Sequence, residues 1–140
     1  MVAAMVVTAG CSGIKTYPND APKNLHARVQ TEGARAALHV HEVTGRCATR
    51  YAGTVALDRP NVEVGLPAGR PALLIVAFNT SSFLGGSRSI SVETVLEPRA
   101  GFDYELSVRY KEAIYDVALR EVDRRKGVSR ELARQPLSGC

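Results

Sequence analysis

Tryptophan is absent, and aromatics make up 6% of the chain. Any core must therefore be built mainly from Val, Leu, Ile and Ala. Cysteine is scarce: Cys11, Cys47 and Cys140 share no C-x-x-C spacing, which argues against a zinc knuckle. No apolar run reaches the ~20 residues that a membrane-spanning helix needs. The chain has no G-x-G-x-x-G, Walker loop, G-x-S-x-G or H-E-x-x-H. Their absence argues against a nucleotide-binding α/β fold, a hydrolase triad and a zincin site. No catalytic set stands out, so neither an enzyme nor a cofactor is expected. Charge is mild, with 18 Lys and Arg against 14 Asp and Glu. What remains is 45% hydrophobic in 140 residues, enough for one globular domain.

The hydrophobic pattern alternates. Leu25–Val29, Ala36–Val40, Tyr51–Leu57, Val62–Leu66, Ile90–Leu96, Tyr104–Tyr110 and Tyr115–Leu119 read as period-two strands, with a helix over Ala113–Arg125 as the other reading of the last. Ala72–Phe78 is nearly continuous apolar, as in a central strand covered on both sides. Glu32-Gly33, Asp58-Arg59-Pro60-Asn61, Pro67-Ala68-Gly69 and Pro98-Arg99-Ala100-Gly101 mark turns. The spacing predicts a single antiparallel β-sandwich of seven or eight strands over 25–123. Residues 11–24 read as a tether and 124–140 as a basic tail, irregular or helical.

Before the tether lies MVAAMVVTAG, without charge or proline. As a helix it would span about 15 Å, half the hydrocarbon core. An apolar run ending in small residues has the pattern of a secretory signal. A buried strand over Val2–Thr8 is the other reading. The run closes Val7-Thr8-Ala9-Gly10-Cys11, which resembles the bacterial lipobox. The resemblance implies that residues 1–10 are a signal peptide and that Cys11 carries a covalent lipid. Ser12 then implies the outer membrane, facing the periplasm. Three acyl chains, as lipoproteins of that kind carry, anchor stably where one does not. With Cys11 lipidated, Cys47 and Cys140 remain as a pair in a compartment that permits disulfides. Their bridge would close about 93 residues and stabilise by roughly 4–5 kcal/mol. The other reading is two free thiols.

Two phrases carry a second resemblance. Val64-Gly65-Leu66-Pro67-Ala68-Gly69-Arg70-Pro71 and Pro98-Arg99-Ala100-Gly101-Phe102-Asp103-Tyr104 are similar to turns of small exported lipoproteins with transthyretin-like or immunoglobulin-like sandwiches. This implies a fold and no chemistry.

Candidate sites are few. His39 and His41 share one face of a strand, where two imidazoles can chelate zinc or copper if a third ligand approaches. His26 would supply it if 25–31 and 36–43 form a hairpin about Glu32-Gly33. The alternative is a solvated polar face. The stretch 79–88 reads as a Ser and Gly loop, and Ser82, Phe83 and Leu84 are its candidate binding residues. The run from Asp123 to Arg134 offers bases to lipid phosphates or an acidic partner. Nucleic acid is not an expected partner for an exported chain. The expected role is non-enzymatic binding or scaffolding at the membrane, with an envelope protein as partner. Alternatives are an accessory subunit of a secretion or envelope complex, a metal carrier through His39 and His41, or an envelope enzyme inhibitor.

Overall fold

A computed structural model describes residues 14–82 and 85–137. Cys11, Phe83, Leu84 and Cys140 fall outside them. The described residues form nine strands and no helix: β1 Leu25–Thr31, β2 Arg35–Gly45, β3 Ala48–Ala56, β4 Asn61–Val64, β5 Ala72–Ser82, β6 Gly86–Leu96, β7 Phe102–Lys111, β8 Ile114–Asp123 and β9 Ser129–Leu132. One sheet has the order β4-β1-β7-β8-β9 and the other β3-β2-β5-β6. This is a β-sandwich, as the alternation predicts.

Period-two patterning builds the core. Leu25, Ala27 and Val29 of β1 point inward with Tyr104, Leu106 and Val108 of β7. Across from them stand Leu38 and Val40 of β2 with Leu74, Val76 and Phe78 of β5. Phe78 and Tyr110 pack rings 5.6 Å apart, so scarce aromatics are spent between the sheets. β5 is central, between β2 and β6.

Several expectations fail. β1 and β2 do not form a hairpin; they lie in opposite sheets. Glu32-Gly33-Ala34 carries the chain over the core, with Gly33 at φ 74°. Crossing there sets the two apolar stripes face to face, which buries both. β1 instead runs parallel to β7, so the sheet is not wholly antiparallel. The expected 79–88 loop is mostly strand, since the β5–β6 ladder continues to Ser82↔Gly86. Strands that project past the core need no apolar side chains, so Ser and Thr suffice there. The expected tail contributes β9, paired with β8. Beyond β9, the Gln135 carbonyl accepts from the Val95 N–H of β6 at 2.8 Å. That segment therefore crosses from one sheet to the other.

The segment before β1 does the same on the opposite side. Thr16 pairs in parallel with Thr54 of β3. Asn19 then bonds the Glu63 carbonyl, and Asn24 N–H bonds Val64. Two glycines permit this close approach. A Cβ at Gly53 would lie 2.4 Å from the Tyr17 Cα, and one at Gly65 would lie 2.0 Å from the Ala21 carbonyl oxygen. Residues 14–24 thus lie on the sandwich instead of hanging free of it.

Strand directions define two ends. The entry end gathers Asn24, the β2–β3 turn, the β4–β5 and β6–β7 connections and the β8–β9 turn. The far end holds the β1–β2, β3–β4, β5–β6 and β7–β8 connections.

Candidate functional site

The expected histidine pair is in place. Alternation along β2 turns His39 and His41 outward, opposite Thr54 and Tyr51 of β3. A register shift between Val40 and His41 leaves Ala52 unpaired and brings Tyr51 onto the same face. His39 Nδ1 lies 2.7 Å from Thr54 Oγ1, and the Tyr51 hydroxyl also meets Thr54. The Tyr51 hydroxyl donates to the Lys15 carbonyl at 3.2 Å. The His41 and Tyr51 rings stand 5.2 Å apart. On β5, Leu73 and Ile75 lie opposite His41 and His39 and floor this patch with aliphatic carbon.

Burial and the neighbouring His39 hold the His41 pKa below its usual 6.5, while Glu93 works in the other direction. The neutral imidazole is therefore favoured, which suits a tilted contact with the Tyr51 ring. The third expected ligand is elsewhere. His26 sits on β1, in the opposite sheet, with Nδ1 3.5 Å from Glu63. The physical reason is the crossing at Gly33, which removes β1 from the side of β2. Among the described residues no group of three or more His, Cys, Asp or Glu gathers around a common point.

Cys47 lies in the β2–β3 turn at φ 56° and is disulfide-bonded. Its partner is not among the described residues. Ser82 pairs with Gly86 at the tip of the β5–β6 hairpin.

Sequence reasoning missed a buried polar network at the entry end. The Tyr104 hydroxyl donates to Glu121 at 2.9 Å and accepts the Arg99 N–H at 2.9 Å. Glu121 pairs with the Arg99 guanidinium at 2.5 Å and with Arg130 at 3.2 Å. Hydrogen bonding from Arg99 holds the Glu121 carboxyl below its usual range, against the penalty of burial. Arg99 also stacks 3.9 Å above the Phe102 ring. Nearby, buried Asn24 makes paired 2.8 Å bonds to the N–H and carbonyl of Leu66. The one available signal was Glu121 itself, a charge in the inward register of β8 beside Leu119.

A cavity of about 190 Å³ opens between β2, the β4–β5 connection and the segment before β1. Tyr17, Val40, Leu66, Pro67 and Pro71 line it, with Arg70 and Glu42 also present. It is smaller than the ~300–1,000 Å³ of ordinary small-molecule sites.

The chain matches no family model, no curated protein and no solved structure. His39 hydrogen-bonds Thr54, His41 meets the Tyr51 ring at a tilt, and the buried carboxylate is neutralised by two arginines.

Proposed function

We propose that this chain is an envelope lipoprotein, anchored by lipid at Cys11 in the outer membrane and facing the periplasm. Its β-sandwich serves as a non-enzymatic binding or scaffolding domain. The observation that carries this reading is the apolar run closing in Val7-Thr8-Ala9-Gly10-Cys11. Two features support it. Cys47 is disulfide-bonded, which suits an oxidising compartment. With Cys11 acylated, Cys140 is the remaining cysteine that can pair with it inside one chain. The segment after Cys11 also packs onto the sandwich from Thr16 onward, and the buried carboxylate of Glu121 is neutralised by Arg99 and Arg130, which suits a rigid display domain.

Intact mass of the protein from the membrane fraction tests the reading. The expected species begins at Cys11, carries lipid and has two thiols that alkylate only after reduction. A species retaining residues 1–10 without lipid overturns it. Co-purification after mild membrane extraction then tests the binding role; an envelope protein retained through salt washes is the expected result.

A further inference from the structure

The two ends of the sandwich differ in charge. Connections at the entry end bring together Lys23, Arg46, Arg70, Arg99, Arg124, Arg125 and Lys126, while their acids are Asp20 and Glu97. At the far end the described connections hold Glu32, Asp58 and Glu112 against Arg59. Arg124 is paired with Asp103 at 2.9 Å and Arg99 with Glu121 at 2.5 Å. The other five entry-end bases are exposed and form no ion pair among the described residues; Lys23 Nζ donates to the Asn19 carbonyl at 2.6 Å. Asp123, the nearest acid to Arg125 and Lys126, is occupied locally. Its Oδ1 accepts both of their backbone N–H groups, at 2.9 and 3.2 Å. The turn therefore presents its side chains outward.

Two further observations point the same way. Val128, next to this basic run, is 63% exposed. The first described residues approach from that end: Thr16 pairs in parallel with Thr54, so Ile14 lies on the entry-end side of Thr16. Cys11 is three residues upstream, a reach of about 11 Å at most.

We propose that the entry end is a docking surface for an anionic lipid bilayer. Lys23, Arg46, Arg70, Arg125 and Lys126 meet headgroup phosphates, and Val128 enters the interfacial layer. The five bases come from four separate connections and spread across the whole end. That arrangement fits a planar array of phosphates better than a single buried anion. Guanidinium and ammonium groups donate to phosphate oxygens, and each base near such a surface strengthens binding about fivefold. The proposal rests on the envelope reading for where the bilayer is met. The far end, with Ile114 and Tyr115 exposed, then faces away from the membrane.

The test is sedimentation of the full, unlipidated chain with phosphatidylcholine vesicles, with and without phosphatidylglycerol. Binding is expected only when phosphatidylglycerol is present, and about 0.5 M salt should release it. The triple variant Arg46→Gln, Arg125→Gln, Lys126→Gln should bind about 100-fold more weakly. Arg59→Gln at the far end should stay within about twofold. All four side chains are exposed, and unchanged circular dichroism will show that the variants fold. Equal binding to neutral vesicles, or equal losses from both ends, overturns the proposal. So does duplex DNA binding as tightly as the anionic vesicles at the same salt. Absence of lipid at Cys11 in cells would sink the anchor and leave a positive vesicle result standing. Lipidated protein whose unlipidated form ignores phosphatidylglycerol would sink the docking surface alone.

Discussion

The entry end and the far end are built from the same kinds of connection but held differently. At the entry end, polar side chains tie the connections to the strands. Asn24 supplies both halves of a backbone pair to Leu66. Glu121, Tyr104 and Arg99 form a closed set in which the buried carboxylate has a donor on each oxygen. At the far end the β7–β8 turn is tight, with Glu112 at φ 52° and Ala113 at φ 63°. Left-handed backbone suits Gly or Asn, so both residues there are strained. Ile114, beside them, is 72% exposed. The entry end also has one left-handed non-glycine, Cys47 at φ 56°, but its connections are tied by buried side-chain hydrogen bonds, whereas the far-end turn places two such residues in succession beside Ile114. Strain persists only where surrounding structure enforces it; here the β7–β8 ladder does so.

Breaking the entry end should cost most. Asn24→Ala orphans two buried backbone groups at Leu66 and should destabilise by about 2–4 kcal/mol in urea unfolding. A change under about 0.5 kcal/mol would mean that the Asn24 bonds do not hold that end. Gly65→Ala should be comparably harmful, because the Ala21 carbonyl occupies the space for a Cβ. Melting-temperature shifts of the two variants can be compared directly.

Next comes Glu121. Its folded pKa is depressed, so its contribution is present above the ordinary carboxyl value near 4.5 and is lost as pH falls through the lower folded value. Stability of the native chain should therefore drop steeply below about pH 4.5. Glu121→Gln should be less stable by about 2 kcal/mol at neutral pH and should flatten that acid limb. A limb of unchanged slope would assign acid sensitivity to other carboxylates.

The far end should respond in the opposite direction. Ala113→Gly removes the Cβ clash and should raise stability by about 0.5–1 kcal/mol. Destabilisation of that size would mean that the turn is not strained.

The smallest effect concerns His41. Its lowered folded pKa means that its stabilising share is complete above about 6.5 and declines as pH falls through the folded value. His41→Gln should remove a slight slope in stability below that pH. Unfolding curves taken at several pH values between 5 and 8 would reveal it.

Much of the fold was legible because strand patterning is local. Leu38 and Val40 against His39 and His41 state which face is buried before any partner is known. Tyr104, Leu106 and Val108 do the same for β7. The outward histidine pair was legible for that reason. Its expected third member, His26, was not, because chain proximity across Glu32-Gly33 suggests a hairpin where the chain changes sheets. The 79–88 stretch misled for another reason. Serine and glycine are common in loops, yet a ladder projecting beyond the core asks nothing apolar of its residues.

The amino-acid sequence by itself determined which segments extend, which side of each faces inward, and where an apolar run meets Cys11. Side-chain alternation and chain-breaking residues act within a few positions, so they are readable along the chain. Only the tertiary structure decided that β1 lies parallel to β7, that Glu121 meets Arg99 and Tyr104, and that Arg46, Arg70 and Lys126 share one end. Backbone ladders are made of the same N–H and C=O groups everywhere, so partner choice is written in how the stripes bury together.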